Sequence, residues 1–281
     1  MQRGLFIGVG VAILFALVVQ VVVFYFPVDK SLSLIRQRGK IIIGYAVEAP
    51  YAFLTLEGQV TGESPEVASR MASRLGIARV EWRQVEFSDL IPELEAGRID
   101  VIAAGMFITP EREQQVNFSL PTFRVQQGLL VLRGNPRQLH SYQQAFTLKE
   151  VSIAVLSGSV EEKLLQDLGF SAERLLIVPD ANTGKMAVET GLADGLALSA
   201  PTLRWMVISQ SLERLELAEP FDQPPAGSHP LGIGGFAFRK SDQKLLKAWN
   251  VQLGQFIGSP EHLALIQRFG FTSEELPPDV P

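Results

Sequence analysis

Cysteine is absent from the chain. Disulfide scaffolds, thiol nucleophiles, cysteine-ligated zinc and an acylated lipobox cysteine are all excluded. Histidine is scarce: His140, His229 and His262 are scattered without metal-ligand spacing and read as surface residues. Neither a metal nor a cofactor is expected. Clusters of Lys and Arg are missing too, and 25 basic against 30 acidic residues leave a net charge of −5. Such a balance argues against a nucleic-acid partner. The few tryptophans, Trp82, Trp205 and Trp249, sit on periodic apolar faces and read as core. A length of 281 residues suits one or two domains.

One long apolar run is present, from Gly4 to Phe26, with no charge and a single amide at Gln20. As a helix it would reach roughly 34 Å, enough for a hydrocarbon core of about 30 Å. A cleaved signal peptide has a shorter apolar region and small residues before the cut. Here Val-Phe-Tyr-Phe-Pro-Val follows, without Ala-x-Ala. Residues 1–30 are therefore expected to form one transmembrane helix that anchors the chain, a cleaved signal segment being the alternative. Arg3 lies on the short side, so the positive-inside rule leaves the body outside the cytoplasm.

In the body, strand and helix patterns alternate. A helix-like lead, 31–38, precedes an apolar strand at 41–45. A helix follows over 64–75 with Ser64 as cap and Pro65 at N1, then a strand at 80–85, a helix at 88–96 stopped by Gly97 and a strand from Asp100. A second unit repeats the order: strand 151–156, helix 160–168, strand 175–178, helix 183–190 and strand 195–198. The units echo each other in Gly97-x-x-Asp100 and Gly191-x-x-Asp194, each a helix-ending Gly before an Asp that opens an apolar strand. The alternation implies α/β layers with a mostly parallel sheet in each of two lobes. Extended segments at 129–136 and 232–239 read as hinge crossings, with a ligand held between the lobes. The expected limits are 38–133 with 232–273 for lobe 1 and 134–231 for lobe 2. Helix 242–256 is expected to pack back on lobe 1.

The segment 103–116 names a chemical group on the partner. A Gly-containing turn at Gly105 leads to Thr109-Pro110, a helix-start signal with Thr at N-cap and Pro at N1. The helix N-terminus and the planar guanidinium of Arg112 together form a receptor for a carboxylate. The competing reading pairs Arg112 with Glu111 or Glu113 on a solvated face.

Three groups of residues carry a family likeness: Ile42-Ile43-Gly44-Tyr45 with Ala49-Pro50-Tyr51; Phe87-x-x-Leu90-Ile91-Pro92-x-Leu94-x-x-Gly97-x-x-Asp100; and Thr109-Pro110-Glu111-Arg112 with Val116-x-Phe118-Ser119. From about Arg38 to Phe271 the chain resembles the extracytoplasmic solute-binding proteins, family 3, of amino-acid-type ABC uptake systems, with a two-lobed type II periplasmic-binding-protein fold. Glu48-Ala49-Pro50-Tyr51, the stretch 60–67, the stretch 103–112 and Phe236-Ala237-Phe238-Arg239 are most similar to ectoine- and hydroxyectoine-binding proteins.

That resemblance implies a zwitterion held by Arg112 and Glu48 within an aromatic cage of Tyr51, Phe87 and Phe107. Aromatic faces can surround a delocalised or quaternary cation at about 0.5–2 kcal/mol each. Thr109 and the turn N–H groups would assist Arg112, and Ser157 and Ser159 at a helix start offer further donors or only cap that helix. Relatives that bind α-amino acids carry an Asp where this chain has Ser199, which points away from ordinary α-amino acids and toward a compatible solute or modified amino acid. The implied partners are a small zwitterionic ligand, ABC permease subunits and, through the N-terminal helix, the membrane. A polar-amino-acid-binding protein, a cyclohexadienyl dehydratase-like enzyme and a sensory domain are the alternatives. An enzyme is not expected, because Glu48 would be a general acid without a His or Lys beside it.

Overall fold

The computed structural model describes residues 29–209, 212–224 and 232–277. The apolar run behind the anchor expectation lies outside these residues, as does His229. Among the described residues no helix is long and apolar enough to cross a membrane.

The chain begins with α1 (Ser31–Arg38), β1 (Lys40–Tyr45), the hairpin β2 (Phe53–Leu54) and β3 (Val60–Thr61), α2 (Glu63–Arg74) and β4 (Arg79–Gln84). A 3₁₀ turn at Phe87–Asp89 leads to α3 (Leu90–Glu95), β5 (Val101–Ile102), α4 (Pro110–Gln115), β6 (Val116–Phe118) and β7 (Phe123–Val125). The second half runs through β8 (Gln127–Leu132), α5 (Tyr142–Thr147), β9 (Ile153–Leu156), α6 (Val160–Asp167) and β10 (Leu175–Val178). It continues with α7 (Ala181–Glu189), β11 (Gly195–Ser199), α8 (Ala200–Ser209) and β12 (Leu215–Leu217). The chain closes with β13 (Gly232–Gly234), β14 (Ala237–Arg239), α9 (Gln243–Gly254) and α10 (Pro260–Gln267).

Two sheets of five strands result, ordered β4-β1-β5-β14-β6 and β10-β9-β11-β8-β12. In each, three neighbouring strands run parallel and the remaining pairings are antiparallel. The lobe boundary expected at residue 133 is corrected here. Strand β8 pairs with β11 and β12, so residues 127–132 belong to the second sheet. The antiparallel pair β7–β13 lies between the two sheets, and only Gln126 separates β7 from β8.

The echo between the lobes has a physical basis. The backbone N–H of Asp100 donates to the Ile42 carbonyl while its carboxylate accepts from Ile42 N at 2.8 Å. Asp194 does the same with Ser152, its N–H donating to the carbonyl and its carboxylate accepting from Ser152 N at 2.9 Å. Each Asp thus ties the opening of one strand to its parallel neighbour. Each is also paired with arginine: Asp100 with Arg38 and Arg239, Asp194 with Arg137.

Several local expectations are revised. Ser64 is not a cap: α2 starts at Glu63, with Gly62 before it. Gly62, at φ +125°, brings the backbone so close to the Tyr51 carbonyl that a Cβ would overlap it, and Ser64 Oγ instead accepts from Gly105 N at 3.1 Å. Helix α7 starts two residues before the expected 183, because Asp180 caps it by accepting from Thr183 N at 2.8 Å. His262 is fully buried rather than on the surface, its Nδ1 accepting from Gly258 N at 3.1 Å. His140 is half-buried.

Helix α9 packs on lobe 1, where Leu245, Trp249 and Leu253 join Ile35, Val67 and Met71 in one core. Trp249 lies between Phe236 and Phe238, ring centroids 5.3 and 5.5 Å away, while Trp82 and Trp205 are only half-buried.

Asp100→Ala would orphan the Ile42 N–H and remove one carboxylate from Arg38, which is partly in solvent, and from Arg239, which keeps Asp242, an expected cost of about 2–4 kcal/mol. Asp194→Ala, beside the largely exposed Arg137, should cost about 1–2 kcal/mol. Urea unfolding of both variants checks the order; equal losses would contradict this account of the two strand ties.

Candidate functional site

Thr109 initiates α4 as its sequence suggests, Oγ1 accepting from Arg112 N at 3.2 Å with Pro110 in the first turn. The helix is only six residues long. It therefore contributes little dipole, and the guanidinium is the receptor. Gly105, at φ +64°, sits so close to the Tyr51 ring that a Cβ would collide with it, so the turn passes directly under that ring. Phe107 forms a bridge to Gly234 of the crossing pair.

Arg112 is 9% exposed, which removes the solvated-face reading. Two of its N–H groups donate, Nη1 to the Phe107 carbonyl and Nη2 to the Gly158 carbonyl of lobe 2, both at 2.8 Å. Its guanidinium lies 5.4 Å from the Phe87 ring centroid. Burial lowers the Arg112 pKa to about 10, against the opposing pull of Glu161 and Glu111. It stays cationic at neutral pH.

Glu48 stands at the start of a loop closed by paired backbone bonds with Ala52, at 2.8 and 3.0 Å. Its Oε1 accepts from Thr202 Oγ1 at 2.8 Å, across the cleft from lobe 2. Thr202 Oγ1 lies 3.1 Å from Ser199 Oγ, which accepts from Tyr51 Oη at 3.2 Å. This buried chain joins two lobe 1 side chains to two of lobe 2. Burial pushes the Glu48 carboxyl up to about 7 although the Thr202 bond opposes it, and raises the Tyr51 phenol.

Lobe 2 adds an acid that the sequence reading missed. Glu161, in the first turn of α6, is 3% exposed. Burial pushes its carboxyl up to about 7, opposed by its own N–H, by Arg112 and by bonds with Gln127 and Ser159. Ser159 caps α6 by accepting from Glu162 N at 3.1 Å, and Glu162 in turn accepts from Gly158 N at 2.7 Å. The donors expected at this helix start are thus taken by the chain's own side chains. Ser157 is half-buried and does not line the cavity.

Glu48, Tyr51, Phe87, Phe107, Arg112, Ser159 and Ser199 from the sequence reading meet around one small interlobe cavity of about 20 Å³, room for a water molecule as the lobes stand. Gly105, Leu156, Val160, Glu161 and Leu198 complete its wall. Thr109 faces a neighbouring groove instead, with Ser88, Gln115 and Gly158. The cage expectation changes in one respect: Phe87 already stacks on Arg112, while Tyr51 and Phe107 pack against Phe123 at 4.9 and 5.9 Å. No group of His, Cys, Asp and Glu among the described residues could hold a metal ion. What the cavity offers is one guanidinium, two carboxyls and aromatic faces, a set that can hold a carboxylate at one end and a cation at the other.

Residues 41–272 match the model for bacterial extracellular solute-binding proteins, family 3. A probable amino-acid ABC transporter periplasmic-binding protein, y4tE, of Sinorhizobium fredii is 33% identical over 249 residues, covering 88% of this chain and 82% of that protein. The crystal structure of EhuB in complex with hydroxyectoine superposes with a TM-score of 0.80 at 31% identity, covering 87% of this chain and 93% of EhuB. A mutant of ArgBP from T. maritima follows at 0.76 and 25%, covering 85% and 99%. These likenesses extend to the two-lobed type II periplasmic-binding fold.

Three buried carboxyls, Glu48, Glu63 and Glu161, stand at about 7 instead of 4.5. The folded state therefore binds more protons than the unfolded chain between those values, and the stability they contribute is present below pH 4.5 and lost as pH rises through about 7. Each contributes on the order of 3 kcal/mol. Urea unfolding of the ligand-free protein should show greater stability at pH 5 than at pH 8, with a shallower slope for Glu63→Gln; a flat profile would remove burial as the cause.

Proposed function

The chain belongs to the bacterial extracellular solute-binding proteins of family 3, and from that membership we propose that it is the extracytoplasmic receptor of an ABC uptake system for a small zwitterion. The likeness to a periplasmic-binding relative supports an extracytoplasmic location for the chain's body. Residues 1–30 tether it to the cytoplasmic membrane, and permease subunits receive the solute it captures. The observation that carries the reading is Arg112, a buried guanidinium at the wall of an interlobe cavity. A buried cation of this kind is matched by a carboxylate, and closure of the lobes around the pair excludes water and strengthens it.

The other end of the ligand is a cation held by Glu48 beside the faces of Tyr51 and Phe107. An ectoine- or hydroxyectoine-like compatible solute fits this division, and the likeness to EhuB supports it. A polar amino acid is the second reading, and Glu161 favours it. Ser199 deprives lobe 2 of an acid on β11, but Glu161 supplies one from α6, so an α-ammonium would still meet charge. Turnover is not part of the proposal: the family consists of substrate-binding proteins.

Isothermal titration with ectoine, hydroxyectoine, glycine betaine and a panel of amino acids identifies the class. Arg112→Ala should weaken whichever carboxylate ligand binds by more than a hundredfold, about 3 kcal/mol. Undiminished affinity in a folded variant would take Arg112 out of the site and end the reading.

A further inference from the structure

One arginine faces two acids in the cleft. Glu48 reaches the cavity from lobe 1 and Glu161 from the first turn of α6 in lobe 2, and both side chains are at least nine-tenths buried. Once Arg112 takes a ligand carboxylate, two carboxyls remain for the other end of the molecule. Their protein partners are neutral: Thr202 for Glu48, and Ser159, Gln127 and its own backbone N–H for Glu161. The charged or titratable groups around Glu161 are Arg112, Glu48, Tyr51 and Tyr142. Arg112 alone among these is cationic, and it is already turned to the Phe107 and Gly158 carbonyls.

We infer that Glu161 is a specificity-determining residue: with Glu48 it brackets the ligand cation from opposite lobes, selecting a delocalised N–H cation, an amidinium or guanidinium, over a quaternary ammonium. The inference rests on the receptor reading above and narrows its ligand class. A carboxylate oxygen gains most from a charge-assisted N–H bond, and two carboxylates on opposite walls need donors pointing two ways. A planar amidinium or guanidinium presents N–H groups in its plane at separate positions. Its faces remain for Tyr51 and Phe107, which line the same cavity. A quaternary ammonium offers methyl groups alone and would leave both buried acids without a donor, a loss characteristic of sites built to pair a polar group.

The position of Glu161 adds direction. Ser199, on β11, is committed to the chain from Tyr51 to Thr202, so lobe 2 meets the ligand cation from α6 rather than from that strand. Val160, beside Glu161 in the wall, has no side-chain donor to compete for the acid.

The test is isothermal titration of wild type, Glu161→Gln and Arg112→Ala with ectoine, L-arginine and glycine betaine. In wild type, ectoine or arginine should bind at least a hundredfold more tightly than glycine betaine. Glu161→Gln should weaken that ligand tenfold or more and narrow the gap to glycine betaine. Titration at pH 6.5 in buffers of different ionisation enthalpy adds a second readout. Binding should release protons as the cation draws the acids into their charged form, and Glu161→Gln should release fewer. Thermal melting confirms that the variant is folded, and a purely structural role for Glu161 would leave the proton count unchanged. Glycine betaine binding as tightly as the N–H ligands overturns the inference. So does an unchanged ligand ranking in Glu161→Gln. If in that case Arg112→Ala still abolishes binding, the receptor reading survives and Glu161 alone loses its role. If none of the three binds to wild type, both fall.

Discussion

The charge on Arg112 is the constraint around which the cleft is organised. An ionised group taken out of water costs several kcal/mol unless its surroundings replace the lost hydration. Here the replacement comes from separate parts of the chain: the Phe107 carbonyl from the same turn, the Gly158 carbonyl from lobe 2 and the Phe87 ring. The Gly158 bond makes the burial of Arg112 depend on how the lobes sit. Opening the cleft would break that bond and rehydrate the guanidinium, so side-chain solvation and lobe closure are one equilibrium. The proposed ligand carboxylate would act on that equilibrium by giving the closed form a better partner than a neutral carbonyl.

Each lobe is built to hold its share of this arrangement rigidly. The Asp100 and Asp194 ties fix the entry of strands whose far ends approach the cleft: β5 leads toward Gly105 and Arg112, and β11 ends at Ser199. Continuous apolar packing then spans the cleft, with Phe87, Ala104 and Met106 in one cluster with Leu156 and Leu198. The hinge is slight by comparison, with β7 and β13 pairing over three residues each. Stiff lobes on a thin connection would let a contact of a few ångströms bias closure of the whole cleft.

How far the site was legible in the sequence depended on whether its signal was local. Thr109-Pro110 announces a helix start because cap and N1 chemistry act within four residues, and Arg112 follows at a fixed offset. Glu48 and Tyr51 stood out in an irregular Pro-containing loop, where polar groups are free of periodic packing. Glu161 was illegible for the opposite reason. An acid in the first turn of an amphipathic helix usually faces water, and only the approach of lobe 1 buries this one. The same holds for β8: an apolar run at 127–132 reads as a buried strand, but nothing local says which sheet receives it. Ser64 and His262 failed through tertiary override, the first diverted to Gly105 N, the second drawn under Phe256 at a centroid distance of 5.2 Å.

Two acids beside one guanidinium turn the cleft into a charge-balance problem that a neutral cavity would not pose. With Glu48 and Glu161 both raised to about 7 by burial, the ligand-free cleft near neutral pH is partly protonated and carries less negative charge than its composition suggests. In the proposed site, protons would stand in for the cation until it arrives. A cation entering between the acids would lower their pKa values and displace those protons, so its binding free energy would include the cost of removing them. That cost is smallest for a cation whose N–H groups reach both carboxylates at once, because each displaced proton is then replaced by a charge-assisted bond. Under the proposal, selection by N–H geometry and exchange of protons are thus two aspects of one arrangement, set by an acid from each lobe at the cleft.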